Sequence, residues 1–407
     1  MRASQDTTPP AAVTQSQWKS WGLALLLIAF FYLAIWQAAA ILPTLGAGNT
    51  LVDFDAFYIV GQLVAEGRAA QAYDRAVMAE IQTALLGHSG FMPWTYPPMF
   101  DLIVAPLPLL SRGLSYALFT GTTLAFYLAM IARLSGTAFL PVLLALTPPL
   151  YITLNIGQNS FLTGGLMAVF VALSLRGSAV AGVPLGLLVI KPHLGVGLAV
   201  HALFDGRWRV LAVASAVALA FAALATAILG LDIWRAFLAG VAASGDALAR
   251  GSYPLFRMTS VYALLHTLGV PPTIAFWVQS GTGLLACALI ALSVRARLPR
   301  RYTLAMACFA SALVSPYLYD YDMTIAGVGL ALIARDLLVR LSRLEKLLLL
   351  ALVWLTCGWG LVNAHTMADL PWDERTALTQ ATISLGAVAY LLLMALTVRI
   401  LRRPVEA

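Results

Sequence analysis

The sequence predicts an all-α, polytopic transmembrane helix bundle, and three observations predict it. Of 407 residues, 61% are hydrophobic and only 11% are charged, against about 25% charged in an ordinary soluble domain. Apolar runs of about 20 residues, the length that crosses the hydrocarbon, recur from Trp18 to Arg402. The net charge of +7 is gathered in short basic clusters flanking those runs, a distribution that sets membrane orientation and gives no footprint for nucleic acid. Backbone groups in lipid must bond within their own segment, which Leu- and Ala-rich stretches do as helices. About 10–13 spans fit the chain.

Taken in order, residues 1–17 have the polar, Pro-containing composition of a disordered cytoplasmic tail. The run 20–42 is longer than the about 7–15-residue core of a secretory signal and has no convincing small-residue cleavage pattern, so it reads as a retained first span. Further spans are expected at 97–111, 114–132, 138–154, 160–176, 179–204, 210–230, 272–294, 302–319, 323–341, 345–362 and 377–398, all within one transmembrane domain over 18–403. Placing Arg207 and Arg209, Arg295 to Arg301, Arg335 to Lys346 and Arg399 to Arg403 in the cytoplasm gives an even number of spans with both termini inside.

Three long connections, 43–96, 231–271 and 363–376, then fall on the extracytoplasmic face. The first carries Asp53, Asp55, Glu66, Asp74 and Glu80 against Arg68 and Arg75, reversing the charge balance of the cytoplasmic loops. Helical spacing of its apolar residues from Tyr58 to Leu86 predicts amphipathic helices in the interface. In the second, Trp234, Phe237, Leu238 and Val241 predict another interfacial helix, and 253–268 is short or re-entrant. No fixed-period repeat is present. Cys287, Cys308 and Cys357 stand singly in apolar runs, without ligand spacing, as small hydrophobes.

Several polar residues interrupt this pattern where a purely structural bundle has no use for them. Asp53-Phe54-Asp55 follows the first span and Asp320-Tyr321-Asp322 lies between two later ones, both on the extracytoplasmic side. A lone Asp at a span end is ordinarily a solvated loop acid; two Asp-x-Asp pairs on one face are candidates for a general base toward a hydroxyl or for a divalent-cation site. Lys191-Pro192-His193 breaks the run 179–204, and a Lys at membrane depth needs an anionic partner such as a phosphate, or a route for its ammonium to water. His193 alone is ordinarily a hydrogen-bonded structural residue. Tyr96-Pro97-Pro98 and Asn155-Ile156-Gly157-Gln158-Asn159 read as turns, whose amides can equally line a sugar site. Strict alternation of spans puts 155–159 on the cytoplasmic side, away from the acids, unless part of 114–176 is short or re-entrant. Asp101, Arg133 and Arg250 are isolated and receive no role. No dinucleotide, P-loop, zinc-protease or nucleophile-elbow motif is present, so soluble nucleotide-driven chemistry has no support.

Asp53-Phe54, Phe57-Tyr58 to Gly67, Ala72-Tyr73-Asp74, Tyr96-Pro97-Pro98, Gly157-Gln158-Asn159, Lys191-Pro192 and Ser315-Pro316-Tyr317 together resemble glycosyltransferase family 87 over about residues 50–330. The resemblance implies the membrane-embedded C-type glycosyltransferase fold in a bacterial inner membrane. It implies a polyprenyl-phosphate-linked sugar donor, mannosyl in this family, and a glycan or glycolipid acceptor. Transfer is then extracytoplasmic and inverts the anomeric carbon, with no certain cofactor. The family's first-loop catalytic Asp falls on Asp53, with Asp55 an extra acid in the same place, so both are candidate bases and the assignment between them is open; Lys191, His193, Tyr96, Gln158, Asn159, Asp320 and Asp322 become candidate substrate-binding residues. Mannosyl-transferring members often carry a His after the late Ser-Pro motif, where this chain has Tyr319-Asp320-Tyr321-Asp322, a departure that bears on the sugar and the acceptor. The other classes open to the sequence are a lipid-carrier flippase or transporter, which often shows an internal repeat between its halves, and an inactive membrane scaffold.

Overall fold

The structure, a computed structural model, describes residues 32, 53–86, 92–367 and 370–403. The expected tail 1–17, the first span 20–42 apart from Tyr32, and residues 43–52 of the first loop lie outside the described residues. What is described is all-helical, with no strand. In chain order the helices are α1 Asp53–Ala65, α2 Arg75–Leu86, α3 Pro98–Val104, α4 Arg112–Ser135, α5 Phe139–Ala145, α6 Thr147–Ile156, α7 Ser160–Leu175, α8 Gly182–Leu187 and α9 Val196–Phe204. They continue with α10 Trp208–Leu229, α11 Asp232–Ala249, α12 Val261–Thr267, α13 Pro272–Arg295, α14 Arg300–Ser311, α15 Thr324–Arg340, α16 Arg343–Thr366, α17 Trp372–Ala381 and α18 Gly386–Leu401.

Five stretches among the described residues are long and apolar enough to cross a membrane: Arg112–Ala145, Trp208–Leu229, Pro272–Arg295, Arg343–Thr366 and Glu374–Leu401. Other expected spans are shorter or broken. The run 97–111 is helical only over α3 and a 3-10 turn at Leu107–Leu109. The run 138–154 divides at Leu146 into α5 and α6, where Pro148 and Pro149 enter the new helix at its first turn, the place that tolerates them. Helix α6 alone rises about 15 Å, half the hydrocarbon. The run 179–204 breaks at Lys191, and in 302–319 the helix stops at Ser311.

The bundle closes on α15, whose Gly- and Ala-rich sequence is buried on every side from Thr324 to Ala334. Small residues are what permit that. A Cβ on Gly327 would stand 2.7 Å from the Tyr127 hydroxyl and from Leu146, and close backbone approach is how helices pack where lipid offers no hydrophobic drive. A second, smaller core gathers the first loop. Phe54, Phe57, Trp94, Phe100 and Tyr116 meet there largely edge to face, with centroids 5.1–6.3 Å apart across the ring pairs that join them. Helices α1 and α3 thus sit on the bundle as a packed cap. Asp74 starts α2, accepting from the amides of Ala76 and Val77 at 2.8 and 3.2 Å.

Candidate active site

Asp53 opens α1, where the unpaired amides of a first turn favour an acid. The residue is 9% exposed. Gln158 Nε2 donates to Asp53 Oδ2 at 2.7 Å. That amide cannot be turned over, because its Oε1 already accepts from the Tyr96 hydroxyl at 2.7 Å and from the Asn159 backbone N–H at 2.8 Å. Oδ1 is then the Asp53 oxygen left to take a proton.

The Gln158 contact also corrects the alternating topology, which put 155–159 on the side away from the acids. Because α5 and α6 are short and broken, the chain returns without a full crossing, and Gly157 makes the turn. It ends α6 in the left-handed region at φ 67, with a Cβ position only 2.6 Å from Phe54 Cβ.

Lys191 comes to the same place because the chain there cannot remain helical. The residue before a proline is pushed from the helical region, and Lys191 lies at φ −147, ψ 68 between two 3-10 turns. Its Nζ reaches Asp322 Oδ1 at 2.5 Å, an oxygen that also accepts from Ser160 Oγ at 3.2 Å. Asp320 accepts from Arg257 through both oxygens, at 2.9 Å from Nη2 and 3.1 Å from Nε. Between the two ion pairs stands the Tyr321 ring, its centroid 5.1 Å from Lys191 Nζ and 5.9 Å from Arg257 Cζ. The Tyr96 ring lies 5.9 Å from Lys191 Nζ.

Three carboxyls and two cations therefore converge. Each cation is held by its own carboxylate of the later pair, which leaves Asp53 without an ion pair of its own among the described residues. Burial pushes its carboxyl up to about 6, opposed by the charge of Arg257, the Gln158 hydrogen bond and the charge of Lys191, and reinforced by Asp320. A carboxyl that exchanges its proton near neutral pH is suited to general-base work.

The two Asp-x-Asp pairs do not act as pairs. Asp55 lies about 200° around the helix from Asp53 and meets Arg112 Nη1 at 3.2 Å, outside the Gln158 network. Asp320 and Asp322 each face a different cation, and among the described residues no three His, Cys, Asp or Glu side chains converge to hold a metal ion. The buried Nε2 of His193 makes no hydrogen bond among the described residues, so the structure does not join it to Asp53.

Sequence reasoning passed over Arg257, Ser160 and Tyr321. An arginine within a segment read as re-entrant was a usable sign, since charge at membrane depth needs a partner. Asp101, which received no role, accepts from Trp94 Nε1 at 2.8 Å and stands 3.1 Å from the Tyr73 hydroxyl, itself 2.9 Å from the Tyr96 carbonyl. It braces the turn that presents Tyr96.

Comparison with known proteins adds one finding. The model of glycosyltransferase family 87 matches residues 94–316, more than half of the chain and inclusive of Tyr96, Gln158, Asn159, Lys191 and Arg257. No curated protein and no solved structure matches. Asp53, Asp320 and Asp322 lie outside the matched residues and are tied to them by the hydrogen bonds above.

Proposed function

The chain belongs to glycosyltransferase family 87, and from that premise we propose that it moves a hexosyl group, mannosyl by family resemblance, from a polyprenyl-phosphate carrier to a glycan or glycolipid hydroxyl. The reaction takes place on the extracytoplasmic face of a bacterial plasma membrane, the side to which the basic clusters at the other helix ends assign the acids.

Asp53 Oδ1 takes the proton of the acceptor hydroxyl as its oxygen bonds to the anomeric carbon. The bond from that carbon to the phosphate oxygen breaks, its electron pair leaving with the polyprenyl phosphate. One in-line displacement inverts the anomeric carbon. Lys191 and Arg257, on either side of Tyr321, offset the charge that grows on the departing phosphate, and holding both substrates in line supplies much of the rate.

The observation that carries this reading is the convergence of a buried Asp53, which makes no ion pair among the described residues, with two cations held by other carboxylates. The experiment is sugar transfer from radiolabelled polyprenyl-phosphate-mannose by purified wild type and Asp53→Asn in detergent, with a membrane lipid extract as acceptor. Wild type transfers and Asp53→Asn, still folded, loses at least about 1,000-fold. Full activity in the variant removes Asp53 as base. A wild type that transfers neither this mannose nor glucose from the matching polyprenyl-phosphate-glucose, assayed in parallel, favours carrier binding without chemistry.

A further inference from the structure

Around the Lys191–Asp322 pair, polar atoms are buried with nothing to bond. Asn159 is 0% exposed and Asp322 1% exposed. Oδ1 of Asn159 and Oδ2 of Asp322 lack a hydrogen-bond partner among the described residues, while the Asn159 amide nitrogen turns to the Tyr96 hydroxyl. They belong to one neighbourhood, because Ser160, the residue after Asn159, donates to the other oxygen of Asp322.

Asn159 also passes over the bond its position offers. It is the N-cap of α7, where an Asn side chain ordinarily accepts from an amide of the first turn, yet its side chain caps nothing. Its backbone is fully used: the N–H donates to Gln158 Oε1 at 2.8 Å and the carbonyl accepts from Thr163 N at 3.1 Å. Leaving a buried amide oxygen unbonded costs about 1–3 kcal/mol, so a fold retaining it at a site has a use for it there.

The chemistry of these two atoms selects the ligand. Both are acceptors, one on a carboxylate, which turns away an anion such as phosphate. The Lys191 ammonium, 2.5 Å from the other oxygen of Asp322, turns away a cation. A neutral polyol suits both, one hydroxyl donating to Asp322 Oδ2 and another to Asn159 Oδ1. The rings of Tyr96 and Tyr321 beside Lys191 provide the flat apolar faces that sugar C–H groups pack against.

We infer that Asn159 and Asp322 form the subsite that reads two hydroxyls of the transferred sugar, separating sugar recognition from phosphate recognition by Lys191 and Arg257. This rests on the glycosyltransferase reading of the same site and deepens it. Asp322 thereby has two roles, one oxygen holding Lys191 and the other reading the sugar, and it stands in the segment where the chain departs from the mannosyl-transferring pattern.

The test measures binding, not turnover, so that it stands apart from the role of Asp53. Affinities of farnesyl phosphate, farnesyl-phosphate-mannose and farnesyl-phosphate-glucose are measured on the full-length protein in detergent, for wild type and Asn159→Ala. Wild type binds at least one sugar-bearing ligand about 10-fold or more tighter than farnesyl phosphate. Asn159→Ala brings the two to parity, leaves farnesyl phosphate affinity unchanged, and melts no lower than wild type without ligand. Three outcomes overturn the inference: equal affinities in wild type, a sugar preference that survives in Asn159→Ala, or a variant that melts lower and loses farnesyl phosphate binding as well. If Asp53→Asn still transfers sugar while Asn159→Ala loses the preference, the base assignment fails and the sugar subsite stands.

Discussion

Asp53 is costly for the protein to keep ionised. Its folded-state value of about 6 lies above the 3.8 of an ordinary Asp, so the folded chain holds the proton more tightly than the unfolded chain. The stability this confers is complete below about pH 4 and is lost as pH rises through 6, a difference on the order of 3 kcal/mol. Asp53→Asn removes the titrating group while keeping an oxygen for Gln158. We expect its melting temperature to exceed that of wild type at about pH 8, with the advantage gone near pH 4; equal melting at both would mean that burial does not strain the carboxylate. Activity moves the opposite way, because the base must be ionised: kcat/KM climbs with pH up to about 6 and levels above it. Gln158→Leu removes a bond that favours the ionised form, so the rising limb shifts to higher pH and the rate falls about 10- to 100-fold. A limb left in place would remove Gln158 from contact with the base.

At the scale of elements, the site depends on where helices stop. Gly157 ends α6 and sets Gln158 against Asp53, with Phe54 Cβ 2.6 Å and Tyr116 Cε2 2.9 Å from where a side chain would begin. A non-glycine residue in the left-handed region costs about 1–2 kcal/mol before any clash. The displaced neighbour would be Phe54, adjacent to the base. Gly157→Ala is therefore expected to melt lower and to lose transfer at least about 10-fold although no polar site atom changes. Gly121→Ala, with open space around it in α4, serves as the unaffected comparison. A Gly157→Ala protein that melts and turns over like wild type would show that the turn tolerates rearrangement. The Lys191-Pro192 break belongs to the same scale, since a continuous helix would carry the ammonium past Asp322.

For the molecule as a whole, the ion pairs are ties between distant parts of the chain. Arg257, after α11, reaches Asp320 ahead of the central helix α15. Removing one member leaves the other buried and unpaired, about 3–5 kcal/mol destabilising, whereas removing both is far milder. Arg257→Ala should lower the melting temperature, Arg257→Ala with Asp320→Ala should recover most of it, and neither should recover transfer, because Arg257, one of the two cations flanking Tyr321, is gone from both. Stability in Arg257→Ala equal to wild type would mean that Asp320 is not held by the arginine.

The apolar runs and their basic flanks determined by themselves that the chain is a helical membrane protein, because solvation in lipid acts on each segment before any segment meets another. They also made Asp53, Tyr96, Gln158, Asn159, Lys191, Asp320 and Asp322 legible as polar breaks that lipid would not tolerate without a use. Pairing was a different matter. Asp53 and Asp55 are equivalent on paper, and only the direction in which α1 docks gives one to Gln158 and the other to Arg112. The return of 155–159 to the acids, the entry of Arg257 and the unbonded side-chain oxygen of Asn159 were decided by tertiary packing alone, since hydrogen-bond geometry depends on which short helices stop before crossing, and periodicity marks an apolar face without marking where it ends.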